Sequence, residues 1–132
     1  MKAFSVEIVT PIKVLNQESV QYLRCPGIDG SFGIMKNHRE GVFALDIGAI
    51  KIETNSNTEW FSTSGGFVEV TSEKIELLLE SVEKSNEIDV KRATEALERA
   101  KNRKNNSQEK IDDIRLEASL SRAMNRLRVS KK

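Results

Sequence analysis

The sequence predicts an α+β protein, with an antiparallel β-domain over residues 1–84 and an antiparallel hairpin of two helices over residues 85–132. Two observations support this prediction. All seven Gly, both Pro and all seven aromatic residues lie at or before Phe67. Apolar residues recur with a period of two up to Leu79 and with helical spacing after Asp89. A length of 132 residues allows one compact domain with an appendage, but not two full-sized domains.

The first part shows the alternation that is typical of half-buried strands. It is clearest in residues 4–9, 20–24, 47–52 and 75–79. Turn-forming segments separate these runs, namely CPGIDG at residues 25–30 and TNSNT at residues 54–58. The pair Gly65-Gly66 fits a backbone with positive φ or a close approach of two chains. Many short strands between turns predict an antiparallel sandwich or barrel, and the composition does not choose between the two.

The second part is predicted to be two helices. Asp89 is a good N-cap, and its carboxylate also suits the positive end of the helix dipole. The polar stretch at residues 102–108 is the predicted loop, and the second helix is predicted from about Glu109. Short helices are marginally stable alone, so the hairpin is expected to dock on another surface. The facing stripes are Ala93, Ala96, Leu97 and Ala100 on the first helix and Leu116, Leu120, Ala123, Met124 and Leu127 on the second.

Charge is segregated between the two parts. Residues 1–84 hold 8 basic and 12 acidic side chains, a net charge of −4, and the remaining 13 basic and 8 acidic side chains give residues 85–132 a net charge of +5.

Cys25 is the only cysteine, which excludes an intramolecular disulfide and a Cys-based zinc site and fits a reducing compartment. There is neither a signal-peptide core nor a run of about 18 apolar residues, so membrane association is expected only through a partner.

Three motifs in register resemble one family. They are PGIDGSFGIMKNH at residues 26–38, SGGFVEV at residues 64–70 and IDVKRA at residues 88–93. Their order and spacing are similar to those of the epsilon subunit of bacterial F-type ATP synthases over essentially the whole chain. The resemblance implies a sandwich of about ten strands followed by two antiparallel helices. It also implies a place at the foot of the central rotor stalk, where the sandwich packs on the gamma subunit and the c-ring.

The resemblance implies a non-catalytic rotor subunit that couples the gamma subunit to the c-ring in ATP synthesis. It implies no required cofactor, no metal and no catalytic residue, and a peripheral position on the cytoplasmic side of the inner membrane. The hairpin of this family permits turnover when it is folded on the sandwich. When it extends among the alpha and beta subunits it blocks ATP hydrolysis, and basic residues would then pair with acidic residues of beta. Those residues are Arg99, Arg103, Arg115, Arg122, Arg126 and Arg128.

The IDVKRA segment resembles the family's ATP-binding signature, so ATP is a possible regulatory ligand. The resemblance places the phosphates against Arg122 and Arg126 and the adenosine near Glu83, Ile88, Asp89 and Ala93. The residues support this in part, because Arg92 and Arg99 share one helical face and a guanidinium binds phosphate bidentately. If the loop centres near Asn105, Arg92 is expected near Arg122 and Arg126. The simpler interpretation is a solvated helical face, with Asp89 as an N-cap and Ala93 as a packing residue.

Two other functions are compatible with the composition. A nucleic-acid-binding adaptor would use the basic second part to bind phosphate, with affinity that falls steeply with salt. Acidic residues interrupt that basic face, which argues against it: Glu95, Glu98, Asp112 and Asp113. A small enzyme is the other alternative, but no nucleophile, base and acid stand in a recognisable motif. His38 is expected to be a turn residue and Cys25 a small strand-end residue rather than a reactive thiol.

Overall fold

The computed structural model describes residues 3–106 and 110–132, including side chains except those of residues 105–106 and 110–113. Within these ranges the chain forms strands, a short 3₁₀ turn (Ser85–Glu87) and then two helices. The elements are β1 (Phe4–Val9), β2 (Val14–Gly27), β3 (Gly30–Ile34), β4 (Gly41–Leu45), β5 (Gly48–Thr54), β6 (Thr58–Thr63), β7 (Gly66–Val70), β8 (Ile75–Leu79), β9 (Val82–Lys84), α1 (Val90–Asn106) and α2 (Lys110–Ser130).

The strands form one continuous hydrogen-bonded sheet in the order β1-β8-β7-β4-β2-β5-β6-β9, with β3 paired to β2 and β1 also paired to β2. The 14-residue strand β2 is shared by two layers, because it pairs with β1 and β4 of one and with β5 of the other. The predicted α+β class, with a β-sandwich followed by two helices, is confirmed. The described residues contain nine strands, and β1 pairs with β8 in parallel rather than antiparallel.

A β-bulge near Ser19 lets β2 pass from one layer to the other. The register against β1 shifts between Phe4 and Val6, and the register against β5 shifts between Val20 and Tyr22. Ser19 itself has a φ of 57°. An extra residue in one strand bends that strand and increases its twist. The bulge therefore stands where the sheet has to turn to close the sandwich.

The core lies between the two layers and is built from the alternating residues of the strands. In β1 and β8 every second residue is buried, as the period-two pattern predicts. Both layers contribute fully buried side chains, for example Val6 and Leu77 from one and Ile50 and Ile52 from the other. The aromatic rings of Phe32 and Phe43 pack against this cluster.

The helices follow the predicted pattern with one correction. Asp89 caps α1, since its Oδ1 accepts the backbone N–H of Arg92 at 3.0 Å. The predicted loop at residues 102–108 is wrong for residues 102–106, which continue α1; residues 107–109 lie outside the described ranges, as does Glu109, the predicted start of the second helix. Several residues of this polar stretch are Lys, Arg and Asn on an exposed helical face, and Lys and Arg are good helix formers.

The packed face of α2 agrees with the predicted one at Leu116, Leu120, Ala123 and Leu127, and differs at Met124. Ala93 and Ala100 of α1 are buried, as are Leu116 and Ala123 of α2, as expected for a hairpin. Met124, predicted on this face, is 45% exposed. The next residue, Asn125, is buried against the sandwich instead. This is possible because α2 packs both on α1 and on strands β5 and β6.

We predict that Gly66→Ala destabilises the protein by about 3 kcal/mol or more, measured by urea denaturation. Gly66 has a φ of +148°, and a Cβ there would lie 2.0 Å from the carbonyl oxygen of Leu78. Gly30→Ala is the matched control: its φ is +125°, but a Cβ there meets no atom within 4 Å. The control is expected to cost only the backbone term, about 1 kcal/mol. Equal losses for the two variants would contradict the steric argument.

Candidate functional site

Helix α2 docks on the sandwich through a buried amide. The side chain of Asn125 is 5% exposed, and its Nδ2 donates to the carbonyl oxygen of Gly48 at 2.8 Å and to Oγ of Ser62 at 3.0 Å. One turn later, Val129 is fully buried. A buried amide needs such partners to offset its desolvation. These contacts fix the position of α2 along β5 and β6.

A charged pair adds a second contact between α2 and the sandwich. Nε of Arg126 donates to Oε1 of Glu83 at 2.6 Å, and Nη2 donates to Oε2 at 3.0 Å, so the pair is bidentate. Glu83 belongs to β9, the edge strand that leads into the hairpin. At the end of the chain, Nζ of Lys132 lies 4.4 Å from the ring centroid of Trp60, within cation–π range. The docked hairpin is thus held by a few polar contacts of different kinds together with the buried side chain of Val129.

The two helices and β9 enclose a cleft of about 380 Å³ beside the charged pair. Small side chains from both helices form its floor and arginines form its rim. Four guanidiniums and one carboxylate give the lining a net charge of +3. The lining residues are Glu83, Ala96, Arg99, Ala100, Arg103, Ser119, Arg122, Ala123 and Arg126.

The arginines of the cleft differ in their pairing. Nε and Nη2 of Arg126 are both hydrogen-bonded to the carboxylate of Glu83. Arg122 donates from Nη2 to Oγ of Ser119 at 3.3 Å. Among the side chains that the structure describes, no carboxylate lies within 4 Å of Arg99, Arg103 or Arg122. Three guanidiniums that share one cleft can bind a multiply charged anion such as a polyphosphate.

The structure brings together half of the residues that the sequence singled out for ATP. Glu83, Arg99, Arg122 and Arg126 line the cleft. The residues of the IDVKRA segment do not. Asp89 is the cap of α1 and pairs with Arg92, whose Nε lies 3.7 Å from Oδ2 and whose side chain is 81% exposed. The other two motif residues, Ile88 and Ala93, are buried in packing.

Arg103 and Ser119 also line the cleft and are not among the residues that the sequence predicts for it. Arg103 stands one helical turn after Arg99, a spacing that places two side chains on the same face. This spacing is visible in the sequence, but it counts only if residue 103 is helical, and the polar composition predicts a loop there. Arg92, which is predicted near Arg122 and Arg126, does not line the cleft.

Other candidate residues have structural roles. Burial raises the pKa of the Cys25 thiol to about 12, so this cysteine is not a reactive thiolate. Nδ1 of His38 lies 2.8 Å from the carbonyl oxygen of Arg39, and its ring meets Phe43 edge-on.

In the described part of the chain, no three His, Cys, Asp or Glu side chains are grouped to hold a metal ion. Neither helix, over its described residues, has an apolar stretch long enough to cross a membrane.

The chain is thus a two-part protein, a β-sandwich with a docked helical hairpin and an arginine-lined cleft between them. Two family models match it, the beta-sandwich domain of the ATP synthase delta/epsilon chain at residues 3–85 and the long alpha-helix domain of the same chain at residues 86–131. The chain belongs to the ATP synthase delta/epsilon chain family, and it is a non-catalytic subunit of that complex.

Curated relatives agree over the full length. The chain is 41% identical over 128 residues to the ATP synthase epsilon chain of Nitratidesulfovibrio vulgaris, covering 97% of this chain and 96% of that one. It is 41% identical over 130 residues to that of Syntrophomonas wolfei, covering 98% and 95%. It is 37% identical over 131 residues to that of Staphylococcus aureus, covering 98% of each. The resemblance to epsilon subunits is confirmed, and the nucleic-acid adaptor and the small enzyme lose their support.

Solved structures share the fold at low identity. A chain of the mitochondrial ATP synthase of Euglena gracilis matches with a TM-score of 0.81 at 20% identity, covering 93% of this chain and 78% of that one. A chain from the central stalk and c-ring of the Tetrahymena thermophila mitochondrial ATP synthase matches with a TM-score of 0.69 at 16% identity, covering 98% and 97%.

We predict that Asn125→Ala loosens the docked hairpin. The loss of two hydrogen bonds at a buried position should cost about 1.4 kcal/mol, which corresponds to roughly tenfold faster hydrogen exchange in the second half of α2. Hydrogen exchange followed by mass spectrometry measures this. Met124→Ala is the matched control, since it truncates an exposed neighbour on the same helix. Exchange as slow as in the wild type would show that the amide does not hold the helix.

Proposed function

We propose that this chain is a central-stalk subunit of the rotor in a bacterial proton-translocating F-type ATP synthase. In this role it couples the gamma subunit to the c-ring in ATP synthesis and restrains ATP hydrolysis through α1 and α2. The main support is full-length identity to ATP synthase epsilon chains. The Tetrahymena neighbour, which matches over nearly the whole of both chains, belongs to a central stalk and c-ring assembly. The subunit is then peripheral and lies on the cytoplasmic side of the membrane through its complex.

The sandwich has surfaces suited to both rotor partners. α2 packs against β5 and β6 of one layer, whereas the outer side of the other layer exposes apolar residues. Val42, Phe67 and Leu78 are 64%, 52% and 41% exposed there. Contiguous exposed apolar residues mark an interaction surface, and we assign this one to the gamma subunit. Ile28 and Met35, exposed beside β3, are assigned to the c-ring.

The contacts of the docked hairpin favour a regulatory role. The polar contacts each contribute about 1 kcal/mol net, and the burial of Val129 adds roughly 1.5–3 kcal/mol, so the docking of α2 amounts to a few kcal/mol. A partner that binds the extended hairpin better can therefore displace it. In the extended state, acidic residues of the beta subunits would meet the arginines of both helices, which include Arg99, Arg103, Arg115, Arg122, Arg126 and Arg128. The sandwich would keep its own core, because the buried cluster lies between its layers.

The cleft supports ATP as a ligand of the docked state. Its lining comes from α1, α2 and β9, so it is complete only while the hairpin is folded on the sandwich. ATP would then favour docking by its differential affinity for the two states, by roughly 2.7 kcal/mol at 100 times its dissociation constant. In this proposal Arg99, Arg122 and Arg126 hold the phosphates. Glu83, Ile88, Asp89, Arg92 and Ala93 stay assigned to the same ligand from the IDVKRA resemblance.

We predict that ATP binds the isolated chain one-to-one and that Arg126→Ala weakens binding by about tenfold or more, as measured by calorimetric titration. The variant removes one guanidinium and also leaves Glu83 without its partner. Arg128→Ala is the matched control, because it removes the same charge from an exposed position of α2 outside the cleft. Equal weakening in both variants would indicate general charge attraction. No binding at millimolar ATP would refute the sensor and leave the rotor assignment standing.

We predict that deletion of the residues after Glu87 leaves assembly intact and raises ATP hydrolysis by the complex. The strands end at Lys84, so the deletion removes the hairpin without removing a strand. Steady-state hydrolysis by the assembled complex is the measurement, and the amount of gamma subunit recovered with the truncated chain is the control for assembly. Hydrolysis that stays at the full-length level would contradict a restraining role of the helices.

A further inference from the structure

Two rows of side chains cross the outer face of the layer that no helix covers in the described structure. They run perpendicular to the strands, because the pairing register places one residue from each strand side by side. The apolar row consists of Ala44, Phe67, Leu78, Val9 and Val14. The neighbouring row, two residues along each strand, consists of Val42, Glu69, Glu76, Glu7 and Asn16. We call them the apolar row and the acidic row.

The side chains of both rows point outward. On β1, β7 and β8 the residues between row members are the buried ones, among them Ile8, Val68 and Leu77. Phe67 and Leu78 are large apolar side chains that remain about half exposed in the middle of the apolar row. Contiguous exposed apolar side chains of this kind mark an interaction surface.

The acidic row is electrostatically unfavourable in the isolated chain. Glu69 faces Glu76 across β7 and β8, and Glu76 faces Glu7 across β8 and β1. Like charges directly opposite each other destabilise a sheet. Lys74 offsets part of this repulsion through its Nζ, 3.3 Å from Oε1 of Glu76. The hydrogen bond to Glu76 and the charges of Glu76, Glu7 and Glu69 raise the pKa of Lys74. Of these three carboxylates, Glu76 is the one that the ammonium contacts.

The dimensions of the rows fit a helix. Five strands set about 4.8 Å apart give rows of roughly 19 Å, the length of a helix of about 13 residues. Residues one turn apart on a helix are about 5–6 Å apart, close to the spacing of the three carboxylates. The two rows lie roughly 7 Å apart, so one helix can place its apolar stripe on the apolar row and one flank on the acidic row. A partner that adds a β-strand to the sheet would instead need a sheet edge, and these rows lie on a face.

We propose that the segment of the gamma subunit that covers this face is an amphipathic helix with a basic flank. It crosses the strands, with its apolar side on the apolar row and Lys or Arg side chains on the acidic row. This inference rests on the proposed function, which supplies the gamma subunit as the partner. Charge complementarity then speeds association more than it adds affinity, as is typical of charged interface rims. A second copy of the chain is a poorer partner for this face, because it would bring its own acidic row against the first one and the like charges would repel.

The test is binding of the full chain to purified gamma subunit at several salt concentrations, with association and dissociation rates measured separately. The triple variant Glu7→Gln, Glu69→Gln and Glu76→Gln is expected to associate about tenfold more slowly at low salt and to lose most of the salt dependence. The control Glu87→Gln, Glu95→Gln and Glu98→Gln makes the same change of charge at exposed positions outside the sandwich face. The control is expected to bind like the wild type.

Two further measurements separate this inference from misfolding. Relief of repulsion should raise the urea midpoint of the triple variant, whereas a lowered midpoint would mean that the row is structural and would overturn the proposal. Hydrogen exchange of the gamma subunit should show a protected helix with Lys or Arg one turn apart. If the triple variant associates as fast as the wild type, or if the protected segment of gamma has no basic residues, the proposal of a basic amphipathic helix is wrong. Failure of the wild-type chain to bind gamma at all overturns the proposed partner as well.

Discussion

Strand β2 is the constraint on which the rest of the structure depends. It pairs with β1, β3, β4 and β5, and the bulge at Ser19 turns it from one layer to the other. Both layers therefore have a fixed register relative to one strand, and their inner faces close on a common core. The outer faces differ as a consequence: one is covered by α2, and the other presents two rows of side chains. The positions of every contact surface follow from this one bent strand.

The docked hairpin is held by specific polar contacts and by the burial of Val129. Asn125 fits only where a backbone carbonyl and a hydroxyl converge, which sets the position of α2 on the sheet. The pair of Arg126 with Glu83 stands both at this interface and in the wall of the cleft. An anion that bound the docked state at Arg126 would share this guanidinium with Glu83. The docking of α2 and the charge of the cleft therefore depend on the same side chain.

Much of the fold was predictable from the sequence, because strand alternation, the helical stripes and the cap at Asp89 are local signals. The parallel pairing of β1 with β8 was not, since it joins segments nearly seventy residues apart and leaves no local pattern. The end of α1 was mispredicted because polar, loop-like residues were compatible with an exposed helix. In the site, Arg99, Arg122 and Arg126 were predicted from helical spacing and family resemblance. Asn125 was missed because a single buried amide has no sequence signature.

The charge segregation of the sequence acquires a physical meaning in the fold. The acidic excess of the sandwich includes the row of Glu7, Glu69 and Glu76, and the basic excess of the hairpin includes the arginines of the cleft. These two clusters are not neutralised by each other, because α2 covers the opposite layer of the sandwich from the acidic row. Like charges held together at two separate surfaces destabilise an isolated chain and favour any partner of the opposite sign. A partner of opposite charge at either surface would relieve this repulsion, so the same charges that oppose the compact state of the isolated chain favour its assembly.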